Sequence, residues 1–88
     1  MKPLNFAILK YFTKVSRASL NDVIEALKND YSSFKAFNKT AMMNALLTAE
    51  ANGLIEEVDV DLDENGELRI YYAANEESKE TINYFIED

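Results

Sequence analysis

Thr40, Asn44 and Thr48 recur at i, i+4 and i+8, so on a helix they form one polar stripe, with Lys39 at its entrance. Opposite them Met42, Leu46 and Ala49 form an apolar stripe, which Met43 and Leu47 widen. A short helix with small polar residues outward can lie in a DNA major groove, where an amide reads adenine and a threonine methyl packs on thymine. The same polar residues also suit the solvated side of a core helix. A second group, Asp61-x-Asp63-x-Asn65-Gly66, matches the opening of a calcium-binding EF-hand loop. It fails at position twelve, where Tyr72 replaces the bidentate Glu, and an acidic hairpin turn explains the same residues.

Other chemistry is narrowly bounded. The 88 residues contain no Cys and no His, so disulfides, thiolate metal sites and imidazole acid–base work are excluded. The acids fall on strand faces and helix starts, without the burial that would raise one carboxyl for catalysis. The expectation is a non-enzyme without cofactor or metal. No apolar run approaches the ~20 residues of a membrane span, and Lys10 interrupts the only apolar run near the start, so a cytoplasmic protein is expected. The net charge of −7 is uneven: residues 1–40 carry +4 and residues 41–88 carry −11. That asymmetry bears on the choice of partner.

The elements that position these groups follow from local signals. Pro3 favours a helical start, and Leu4, Ile8, Tyr11, Phe12 and Val15 follow at helical spacing, so the first helix is expected from Pro3 to about Lys14. Ser16–Ala18 reads as a connector. Ser19 with Asp22 resembles a capping box for a second helix whose apolar face is Leu20, Val23, Ile24 and Leu27, ending near Asn29 or Tyr31. Residues 31–37 are a loop or a short helical turn, with aromatics that plug the core. The third helix is capped by Asn38 or Thr40 and stopped by Gly53, after which Leu54 and Ile55 re-enter the core.

Two alternating strands follow. A three-residue loop, Glu64-Asn65-Gly66, pairs Leu62 with Leu68, Val60 with Ile70 and Val58 with Tyr72, and sets Asp61 opposite Arg69. A two-residue loop would put Leu62 opposite Arg69, on the wrong face. Asn75 opens a last helix with acids in its first turn and an apolar stripe of Ile82, Phe85 and Ile86. Together with Tyr84 this is ample apolar surface. The helix either closes the core or packs on a second copy. No linker or repeat divides the chain, so one domain, 1–88, is expected.

Helix, helix, helix, two-stranded hairpin, helix is an α+β, mainly α order. With SLNDVIEAL in the second helix and TAMMNALLTAEANGLI running into the hairpin, it resembles the winged helix-turn-helix superfamily of small bacterial transcription regulators. The resemblance implies a three-helix bundle, a two-stranded antiparallel wing and a C-terminal helix. It implies recognition through Lys39, Thr40, Met43, Asn44 and Thr48, with Arg17, Ser19 and Lys35 on phosphates. It further implies a homodimer through Ile82, Tyr84, Phe85 and Ile86, which would set two recognition helices about 34 Å apart on double-stranded DNA.

The hairpin departs from that pattern. Its tip carries Asp63, Glu64 and Glu67 where a DNA-binding wing offers bases, and carboxylates repel phosphates. Either the hairpin turns away from DNA or the domain has lost DNA binding. The alternative function is a winged-helix protein-interaction module whose acidic hairpin and C-terminal helix dock a basic partner.

Overall fold

The first helix begins one residue later than expected, at Leu4, because Pro3 itself is extended. Pro3 holds φ −56° and ψ 148°, outside the helix, and α1 runs Leu4–Phe12 in this computed structural model, which describes all 88 residues. It stops two residues before Lys14. Thr13 closes the end, its N–H and hydroxyl both donating to Lys10 O at 3.0 and 2.7 Å, and this tightened turn does not propagate.

The expected connector contains a short strand. Ala18–Ser19 forms β1, with Ala18 fully buried opposite Tyr72 and Ser19 opposite Tyr71. The sheet therefore has three strands rather than two. α2 spans Leu20–Tyr31 and begins with the expected capping box: Asp22 N–H donates to Ser19 Oγ, and Ser19 N–H donates to Asp22 Oδ2 at 2.9 Å. Beyond it, Tyr31 is buried and its hydroxyl donates to Lys2 O. Phe37 is half-buried, and Phe34 packs edge-on against Tyr31 from outside the core.

α3 spans Lys39–Ala51. Asn38 is the cap, accepting from Ala41 N–H at 2.8 Å, and Thr40 lies within the helix. Gly53 takes φ +76°, with Leu54 N–H on Ala49 O and Gly53 N–H on Glu50 O. This paired bonding satisfies the last carbonyls and turns Ile55 into the core. Met42 and Leu46 join Ile8, Phe12 and Val23 at the centre, while Leu47, expected on the apolar stripe, is exposed.

β2 (Glu56–Leu62) and β3 (Leu68–Ala73) are antiparallel, in the order β1-β3-β2. Leu62 pairs with Leu68, Val60 with Ile70 and Asp61 with Arg69, and Gly66 takes φ +76° in the three-residue loop. The expected pairing of Val58 with Tyr72 is wrong. A bulge sets Asp59 opposite Tyr71 and Glu57 opposite Tyr72, leaving Val58 unpaired. β2 is also exposed throughout, because the core packs on β1 and β3 and does not reach the far edge of the sheet.

α4 spans Glu76–Phe85, capped by Asn75 on Ser78 N–H. Its stripe was expected to include Phe85, which is 74% exposed. The helix ends there. Ile86 turns extended and enters the core instead, its carbonyl held by the buried Lys10 ammonium at 2.7 Å. The result is an α+β fold of four helices and a three-stranded antiparallel sheet, about half helical. No helix is long and apolar enough to cross a membrane.

A candidate docking groove between the third helix and the hairpin

α3 presents Lys39, Thr40, Met43 and Asn44 to a groove of about 450 Å³. The start of α2, from Ser19 to Asn21, forms its end, and the hairpin forms the facing wall through Asp63, Glu67, Leu68, Arg69 and Ile70. The walls are brought together by Ile55 and Tyr72, whose burial seats the base of the hairpin beside α3.

Within the hairpin, alternation places Leu68 and Ile70 on one face with their partners Leu62 and Val60. Leu62 and Leu68 are each 65% exposed, so the outer half of this apolar face is uncovered. Asp63 closes the tip. Its N–H donates to Glu67 O at 2.8 Å, and its carboxylate accepts from the N–H groups of Asn65 and Glu67 at 2.9 Å.

The opposite face holds a balanced charge cluster. Arg69 binds Asp61 through two bonds of 2.7 and 3.0 Å, and the Tyr71 hydroxyl also donates to Asp61. Arg17 donates to Asp59 at 2.8 Å, with its guanidinium 4.5 Å from the Tyr71 ring centre. Asp59 is held below the ordinary carboxylate value by the Val60 N–H and then by Arg17, and Asp61 chiefly by Arg69.

The expected site residues divide accordingly. Lys39, Thr40, Met43 and Asn44 share the groove, and Thr48 continues the exposed face of α3 beyond it. Lys35 is exposed on the segment before α3 and also lies outside the lining. Ser19 lines the groove but is buried, with its hydroxyl committed to the α2 cap, so it is not a free phosphate contact. Arg17 is already paired with Asp59. Six of the nine basic side chains form ion pairs, which leaves Lys2, Lys35 and Lys39 without one.

Of the residues expected at a C-terminal interface, Ile82 and Ile86 are buried in the chain's own fold, so only Tyr84 (82% exposed) and Phe85 remain outward. The acidic hairpin was expected as a docking surface together with the C-terminal helix; its apolar wall facing α3 was not. Its signal was present in the apolar alternation of Val60, Leu62, Leu68 and Ile70, a face larger than β3 alone needs to bury.

No protein-family model matches the chain, and no curated protein matches it either.

Proposed function

We propose that this protein is a winged-helix protein-interaction module that docks a basic partner segment between α3 and the hairpin. The observation that carries the proposal is the composition of that groove. Leu68, Ile70 and Met43 offer apolar surface, and the acidic residues Asp63 and Glu67 line it at the hairpin end. Full burial of one leucine side chain contributes about 1.5–3 kcal/mol, so covering this face suits a protein partner. Its charge favours Lys or Arg on that partner.

Double-stranded DNA is the second reading, favoured by one observation. Thr40, Asn44 and Thr48 are exposed along α3, with unpaired Lys35 and Lys39 before them. Magnitude argues against it. Two cations give a log–log salt slope of about −2, against roughly 6–10 phosphate contacts for a strongly salt-dependent binder. A duplex lying along α3 would also meet Asp63 and Glu67, because they line the same groove as Lys39 and Asn44.

A photo-reactive side chain at Leu68 or at Thr48, in living cells that make the protein, tests the choice. The proposal predicts protein cross-links from Leu68 that are lost with Glu67→Lys. DNA cross-links from Thr48, with none to protein from Leu68, would overturn it.

A further inference from the structure

We infer that the groove takes its partner as an added β-strand, laid beside Leu68–Ile70 in line with β1 and alternating apolar with basic residues. The inference rests on the docking function proposed above and specifies its geometry.

The sheet is incomplete at this place. β1 pairs with β3 only opposite Tyr72 and Tyr71, so Leu68, Arg69 and Ile70 have no strand beside them on that side. The chain leaves the sheet there because Ser19 caps α2 and Leu20 begins the helix. The space in which β1 would have continued is the groove, which Leu20, Leu68, Arg69 and Ile70 all line.

Backbone direction agrees. The bond from Asp63 N–H to Glu67 O makes those two residues a hydrogen-bonded pair. Alternation then points the Arg69 backbone at β2 and the Leu68 and Ile70 backbones away from it. Since the Ser19–Tyr71 pairing brings the Leu20 N–H to the Ile70 carbonyl, the open groups are those of Leu68 and the Ile70 N–H. Such groups are a template for a further strand.

The outer edge of β2 is a poorer template. The bulge at Val58 interrupts it, and the Asp59 carboxylate occupies the Val60 N–H at 2.8 Å.

Charge selects the occupant. Arg69 is neutralised by Asp61, so the groove's unpaired charges are Lys39 against Asp63 and Glu67. Apolar residues of the added strand meet Leu68, Ile70 and Met43, and a basic residue meets the tip.

The test titrates the full chain, isotopically labelled for NMR, with the capped peptide Lys-Val-Lys-Val-Lys-Val-Lys at low salt. Two further peptides carry N-methyl groups on every valine nitrogen or on every lysine nitrogen. An added strand pairs through alternate residues, so one methylated peptide should lose at least about tenfold in affinity while the other stays within about twofold. The amides of Leu20, Leu68 and Ile70 should shift, and Glu67→Lys should weaken binding. Groove shifts with equal loss, or no loss, from both methylated peptides would overturn the strand geometry and leave the docking function standing. Shifts confined to Val58–Leu62 would place the strand on the other edge and overturn the inference. No shift at millimolar peptide would overturn both the inference and the docking function.

Discussion

Arg17 donates to Asp59 at 2.8 Å across 42 residues of sequence, and this bond ties the approach to β1 to the edge strand β2. It pairs, at the surface, a cation that the winged-helix resemblance assigns to a phosphate.

A pH dependence follows. Asp59 and Asp61 lie below their ordinary value of 3.8 in the folded chain. Carboxylates with depressed values stabilise the fold above the unfolded value, and that contribution is lost as pH falls through the folded one. Carboxyl titration by NMR should give midpoints below 3.8 for both residues. Arg17→Ala should raise that of Asp59 without restoring it fully, because the Val60 N–H remains. A midpoint for Asp59 unmoved by Arg17→Ala would contradict the pairing.

Ser19 is a cap and not a contact for a ligand's phosphate. Ser19→Ala should cost about 0.5–2 kcal/mol in a urea melt, the usual price of a lost N-cap. Affinity for duplex DNA or for a basic peptide should not change.

Lys10 is buried, and its ammonium donates to Asn83 Oδ1 at 2.6 Å and Ile86 O at 2.7 Å. Lys10→Met keeps the aliphatic stem and leaves the buried Ile86 carbonyl without this donor, a loss of about 1–3 kcal/mol. Denaturant melts should show that loss, and hydrogen exchange should show faster exchange of the Ile86 amide. Unchanged exchange there would mean that the clamp does not hold the end of α4.

Leu68 carries the opposite signature. Its side chain is largely in solvent, so Leu68→Lys should change stability by no more than about 0.5 kcal/mol. It should nevertheless abolish docking of a basic peptide, since it removes apolar surface and adds a like charge. Calorimetry paired with a thermal melt separates the two effects.

The parts legible in the sequence were those set by local bonds. The Ser19–Asp22 box, the Gly53 stop and the Asn75 cap are satisfied within a few residues of themselves, and each stands where its residue types indicate. The loop and register around Gly66 follow from alternation alone. Longer-range features did not show. β1 exists only through pairing with Tyr71 and Tyr72, and the bulge at Val58 reflects how β2 meets β3, where Tyr72 is buried and Asp59 is held by Arg17. Exposure of Leu47 and Phe85 depends on which neighbours reach those helix faces, and periodicity does not carry that information. For the same reason the α3 half of the groove was visible as a polar stripe. The hairpin was visible as an acidic docking surface, but not as the wall facing α3, because its position over α3 is a tertiary fact.

The most direct measurement of the central claim is a paired NMR titration of the labelled chain at low salt, once with mixed-sequence duplex DNA and once with the lysine–valine peptide. The docking function predicts shifts at Met43, Leu68 and Ile70 with the peptide and none with DNA. Salt-reversible shifts along Lys39, Thr40, Asn44 and Thr48 with DNA, and none with the peptide, would contradict it and make α3 a DNA-reading helix.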